Sequence, residues 1–152
     1  IDKDFKKYEW NDRGSDERQY CSPNIDLPVS SIMRTKYGEY PEYHTSLDNL
    51  NDVVSAEGLN GGFEILKLAI ETIENNIYPK ITVMCEPQLG KYDLYPSIGG
   101  PKATKELRIM SNLISYSDGK HDLIDIADIC DIPVWELYPI VKNLESKGLL
   151  VT

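Results

Sequence analysis

The chain has two histidines and three cysteines in 152 residues, few enough that each is weighed by its position. His121 lies between Lys120 and Asp122 in a polar turn, a setting for a solvated side chain. His44 is different. It sits in the run Glu42-Tyr43-His44-Thr45-Ser46-Leu47-Asp48-Asn49, at the end of a loop rich in Tyr, Gly, Pro and Glu and just before an expected helix. That placement predicts an imidazole exposed on a rigid base. Asp48 follows one helical turn later, where its carboxylate could orient the ring as an acidic partner does for a metal-bound histidine. The spacing leaves two readings of His44 open, a metal-binding or catalytic imidazole and an ordinary exposed side chain. One imidazole is not a zinc site, because such sites take three protein ligands and an open position. Cys21, Cys85 and Cys130 are widely spaced and form no CxxC pair, so the expectation is reduced, buried thiols in a cytoplasmic protein.

The elements that must position these residues are read from periodicity and turn chemistry. Residues 5–10 place aromatics near alternate positions and predict a strand, followed by a turn at Asn11-Asp12-Arg13-Gly14 and a short helix capped by Ser15 or Asp16. Leu27 to Met33 predicts a second strand with Pro28 near its start. The segment from Arg34 to Thr45 fits neither period and reads as a long, functional loop. Its Tyr37, Tyr40 and Tyr43 could line a substrate cleft or pack as amphipathic plugs. Thr45 to Asp48 offers an N-cap, and Leu47, Leu50, Val53 and Val54 continue at helical spacing. A longer helix is expected from about Gly62 to Asn75, with Phe63, Leu66, Ala69, Ile70 and Ile73 on one stripe. Residues 81–84 predict a short strand.

Prolines and glycines crowd the stretch from Glu86 to Pro101, the best domain boundary in the chain. Beyond it come three short helical periods: Thr104 to Tyr116, Asp122 to Cys130, and Pro133 to Lys147. Gly148 then stops the last helix before a strand begins at Leu149. Three helices closed by a strand predict a winged helix. The division is therefore residues 1–100 and residues 101–152.

The net charge is −9, from 16 basic and 25 acidic side chains. That deficit argues against a surface built to neutralise phosphates, whether of nucleic acid or of a membrane. The third helix of a winged helix is the usual DNA reader, but here its charges cancel, and Asp118, Asp122, Asp125, Asp128 and Asp131 precede it. The expectation is no nucleic-acid partner and a structural or protein-contact role. No apolar run approaches the roughly 20 residues of a membrane span. The chain opens Ile1-Asp2-Lys3-Asp4, without initiator Met or signal core, and is expected to be a piece of a longer polypeptide.

The run Gly14-Ser15-Asp16-Glu17-Arg18-Gln19-Tyr20-Cys21-Ser22-Pro23, then Asp26-Leu27-Pro28-Val29 and Tyr43-His44-Thr45-Ser46-Leu47-Asp48, resembles the C-terminal half of the co-catalytic zinc aminopeptidase superfamily. The match is nearest to a prokaryotic aminopeptidase-like family, often encoded near polysaccharide-biosynthesis genes, that carries an appended winged helix. Glu86 to Lys91 and Leu94-Tyr95-Pro96 also look like that family's. The resemblance implies an α/β fold class, with the C-terminal portion of an α/β/α domain followed by a small, mainly helical winged-helix domain. It implies zinc as cofactor, His44 as the last zinc ligand, Asp48 as a buried helix-start carboxylate beside it, and Asp16 as a structural or supporting carboxylate. Glu17 stands where the wider superfamily has a histidine, so no step is assigned to it. The remaining ligands and the general base would belong to chain outside these residues, and no catalytic residue is identified within them. The activity implied is hydrolysis of an N-terminal aminoacyl or related amide bond in a peptide or small-molecule substrate. The partners implied are the remainder of the same polypeptide and, compatibly, a second copy. The other reading is a non-enzymatic interaction module that works through its winged helix.

Overall fold

A computed structural model describes residues 5–50, 52–95 and 101–152. The chain forms two compact units, Ile1–Leu66 and Lys67–Thr152. Among the described residues it is mostly helical, with one two-stranded sheet.

In the first unit, turns and side-chain ties do the work that the sequence pattern assigns to strands. Residues 5–9 are irregular and lead into a single 3-10 turn, Trp10–Asp12. Leu27 to Met33 is likewise not a strand. An apolar alternation becomes a strand only when a neighbouring edge takes up its N–H and C=O groups, and the described residues of this unit supply none. The backbone is tied locally instead: Leu27 N–H donates to Tyr20 O at 2.8 Å. The Cys21 thiol lies 3.3 Å from Leu27 O and 3.2 Å from Val29 O.

Helix α1 covers Ser15–Tyr20, with Gly14 as its N-cap in place of Ser15 or Asp16. The helix expected after His44 does not form among the described residues of that segment, which make turns and bends. Leu47 and Leu50 are 63% and 76% exposed, and an amphipathic stripe that covers nothing gives a short helix little stability. Helix α2 runs Ala56–Glu74, starting six residues before the expected Gly62. The Ser55 hydroxyl accepts the Gly58 N–H at 3.0 Å, an N-cap that fixes where the helix starts, ahead of the helix-weakening glycines at 58, 61 and 62.

The second unit holds all of the buried apolar cluster. Helices α3 (Pro101–Tyr116), α4 (Leu123–Cys130) and α5 (Tyr138–Ser146) pack around Leu113, Leu123, Ile126, Leu137, Leu144 and Leu149. A 3-10 turn at Val134–Glu136 follows Pro133, and α5 begins only after it, with Pro139 in its first turn. Gly148 adopts φ +69° just past α5, a left-handed stop that a side chain would strain. Strand β1 (Lys80–Ile81) pairs antiparallel with β2 (Leu150–Val151), with Lys80 opposite Val151 and Ile81 opposite Leu150. β1 also bridges to Asp118, since Ile81 N–H donates to Ser117 O and Gly119 N–H to Pro79 O, both at 2.9 Å. Segment 77–82 is thereby laced between the α3–α4 connection and the last strand.

This lacing draws the stretch before residue 95 into the winged helix. Leu89 and Leu94, expected to lie in a linker, are buried in the second unit's core. The expected boundary at residue 100 lies outside the described residues.

Candidate functional site

His44 lies on a turn that its neighbours build. Its φ is +60°, a left-handed conformation uncommon for residues other than glycine but adopted more readily by Asn, Asp and His. Thr45 locks the turn from both sides. Its hydroxyl donates to Glu42 O at 2.7 Å and accepts the Leu47 N–H at 3.2 Å, while its own N–H donates to Glu42 O at 3.0 Å. The expected N-cap is thus the clasp of a tight turn. His44 is exposed, and its imidazole stacks on the Tyr43 ring with centroids 4.0 Å apart and planes 17° apart.

Tyr43 is the hub of an aromatic cluster. Tyr37 lies 6.1 Å from it in a tilted arrangement and Tyr40 lies 5.7 Å from it edge-on. Each outer ring is tethered by a carboxylate. Tyr40 donates to Asp48 Oδ2 at 3.0 Å, and Tyr37 donates to Glu17 Oε1 at 3.0 Å and lies 3.2 Å from Asp12 O. Desolvation first, and then the carboxylate partner, raises the hydroxyl pKa of Tyr37 and of Tyr40. Glu17 is held below the ordinary glutamate range, chiefly by its own backbone N–H, then by Tyr37 and by Gly14 N–H, against an opposing desolvation. A Cβ on Gly14 would come within 3.1 Å of the Tyr37 oxygen and press on that hydroxyl.

The expected site residues separate accordingly. Asp48 is exposed on a turn, not buried at a helix start, and its hydrogen bond runs to Tyr40. Asp16 is exposed in the first turn of α1, and the neighbouring Glu17 makes the ties to the cluster. Sequence reasoning left Glu17 without a role; the signal was present in its three-residue spacing from Gly14, where an acidic side chain reaches back to a helix-start N–H. Among the described residues, no group of three or more His, Cys, Asp or Glu side chains is placed to hold a metal ion. His44 fits the part of one exposed ligand, and the described residues do not complete a site around it. A separate cleft of about 420 Å³ in the first unit is lined by Arg34, Glu57, Asn60, Gly61 and Ile65. No described thiol is buried; Cys85 is exposed, and Cys21 and Cys130 are half-buried.

On the winged helix, Asp125, Asp128 and Asp131 are exposed along or beside α4, and Lys142, Glu145 and Lys147 along or just past α5. His121 sits in the turn before α4, 3.2 Å through Nδ1 from Asp118 Oδ1 and edge-on to Tyr116. Among the described residues, no helix is long and apolar enough to cross a membrane.

Two family models divide the chain between them. The first, described as a domain of unknown function, DUF4910, matches residues 1–76, and the second, a winged helix-turn-helix, matches residues 76–152. The chain belongs to the DUF4910 and winged helix-turn-helix families. The DUF4910 half thus carries His44 and the tyrosine cluster. The winged helix-turn-helix half begins just ahead of the laced segment that carries β1. Over 116 residues the chain is 46% identical to a Clostridium acetobutylicum protein named as a candidate polysaccharide biosynthesis protein with an aminopeptidase-like domain. That alignment covers 75% of this chain and 26% of the relative. A crystal structure from Clostridium acetobutylicum, described as that of a candidate peptidase, superposes with a TM-score of 0.76 at 36% identity. It covers 92% of this chain and 30% of that one. The chain therefore spans between a quarter and a third of the length of these relatives.

Proposed function

We propose that the chain is the C-terminal part of a zinc-dependent, aminopeptidase-like hydrolase of the α/β/α class, followed by its winged helix. In this reading the hydrolase domain takes the residues up to about 76, where the two family models meet, and the appendage takes the rest. The observation that carries it is His44: exposed, held on a tight turn and braced by a ring stack, within a chain whose similar proteins are named for peptidase or aminopeptidase-like character. His44 is one zinc ligand; Asp48 supports it through its hydrogen bond to Tyr40, and Asp16 is a structural carboxylate in the first turn of α1. The other ligands and the general base belong to the remainder of the longer polypeptide. Bound zinc would supply Lewis-acid chemistry for amide hydrolysis. The proposed substrate is an N-terminal aminoacyl or related amide in a peptide or small molecule, in the context of polysaccharide synthesis and in the cytoplasm.

The test is metal analysis of the complete gene product. Wild type should carry stoichiometric zinc and release amino acid from aminoacyl amides, and His44→Ala should lose both. Full retention of zinc by His44→Ala would refute the ligand assignment. The winged helix is proposed to contact protein, either the same polypeptide or a second copy, and not nucleic acid, because its exposed α4 carboxylates oppose phosphate. A salt-sensitive gel shift on random duplex at submicromolar protein would contradict this.

A further inference from the structure

The sequence points to Asp48 as the group that orients His44, but the contact the structure gives this imidazole is with Tyr43. The two rings lie nearly parallel at 4.0 Å, so rotation of the imidazole about its terminal torsion opens the stack. Tyr43 is itself gripped on two sides. Tyr37 is anchored to Glu17 on α1, and Tyr40 is anchored to Asp48. The carboxylate of Asp48 therefore reaches His44 through two tyrosine rings and not directly. We infer that Tyr43 is the positioning residue of His44, holding the imidazole plane by ring stacking while Tyr37 and Tyr40 clamp the Tyr43 ring. This rests on the reading of His44 as a ligand. It explains how an exposed imidazole is pre-set in orientation, which spares the rotamer entropy that a mobile ligand loses on binding.

Stacking needs the ring and not the hydroxyl, so Tyr43→Phe separates this role from any hydrogen-bonding one. Tyr43→Leu keeps apolar bulk without a ring and separates it from plain packing. Two readouts apply. In the 152-residue chain without metal, the rate at which diethyl pyrocarbonate modifies His44 is followed by mass spectrometry, with His121 in the second unit as internal reference. In the complete gene product, zinc affinity is measured by competition with a chromophoric chelator. Tyr43→Ala and Tyr43→Leu should speed His44 modification severalfold and weaken zinc about 2- to 10-fold, the range of an aromatic pair. Tyr43→Phe should restore both to wild-type values. The inference is overturned if Tyr43→Leu leaves His44 reactivity within twofold of wild type, or if Tyr43→Phe is as damaging as Tyr43→Ala. If His44→Ala releases zinc while Tyr43→Leu leaves affinity unchanged, only the positioning role fails. If His44→Ala keeps its zinc, the ligand reading fails, and the reactivity data still decide the stack.

Discussion

Leu144 on α5 is 0% exposed and sits among Leu113, Leu123, Ile126, Leu137 and Leu149, all at 0–1%. Truncating it to alanine removes three carbons. At about 0.8 kcal/mol per buried methylene the transfer loss is about 2.4 kcal/mol, and the residual cavity raises the total to about 3–5 kcal/mol. The backbone is spared, because the Leu149 N–H bonds the carbonyl of residue 144, at 3.0 Å in the native chain, and the substitution leaves that carbonyl in place. For a unit of this size, each kcal/mol lowers the melting temperature by roughly 4–8 °C, so Leu144→Ala should cost at least about 10 °C. Against a typical stability of about 5–15 kcal/mol, it could leave the unit partly unfolded at 37 °C. Urea and thermal unfolding would be followed by Trp135 fluorescence in a Trp10→Phe background, which removes the tryptophan of the first unit. Ile129→Ala is the control: Ile129 is on α4 in the same unit but 46% exposed, and it should cost less than about 1 kcal/mol. A loss below about 1 kcal/mol for Leu144→Ala at unchanged denaturant slope, or equal losses for the two variants, would refute the packing argument.

Two further perturbations read the polar joints of the same unit. Asp122 caps α4 through Oδ1 to the Asp125 N–H at 2.9 Å and takes Asn76 Nδ2 on Oδ2 at 2.8 Å, while Asn76 Oδ1 accepts the Ile124 N–H at 3.2 Å. Asp122→Ala should cost about 1–2 kcal/mol in urea unfolding, and Asp122→Asn, which retains an acceptor, clearly less; equal costs would deny the cap. Asp118 accepts the N–H groups of Lys120 and His121, which together with the His121 ring hold its carboxyl down to about 2, from an ordinary value near 3.8. A depressed carboxyl stabilises the fold above its unfolded value, and that contribution is lost as pH falls from about 3.8 through about 2. NMR titration of the Asp118 carboxyl should therefore find it still ionised at pH 3, and Asp118→Asn should flatten the acid limb of the stability curve.

The winged helix was legible because its signals are local. The apolar periods of α3, α4 and α5, the Asp122 cap and Gly148 all act within a few residues. β1 was only half legible: residues 81–84 read as a strand, but Lys80–Ile81 is defined by partners at residues 117–119 and 149–151, which no local pattern announces. The first unit was least legible. Its expected strands and post-His44 helix were inferred from alternation and periodicity, yet Phe5, Leu27, Leu47 and Leu50 stay exposed in the described chain, so the burial that turns pattern into structure is missing there.

For the candidate site, residue types at short spacing brought His44 and Asp48 forward as candidates. The same short spacing read Thr45 as a helix N-cap, and only the fold showed its hydroxyl clasping a tight turn instead. Which group touches the imidazole is another matter. The Tyr43 stack is set by ring orientation, and the tethers from Glu17 to Tyr37 and from Asp48 to Tyr40 join residues that are 20 and 8 positions apart. Such pairings depend on how turns fold back on one another, so only the tertiary structure decided that Asp48 serves a tyrosine and that an aromatic ring braces the histidine.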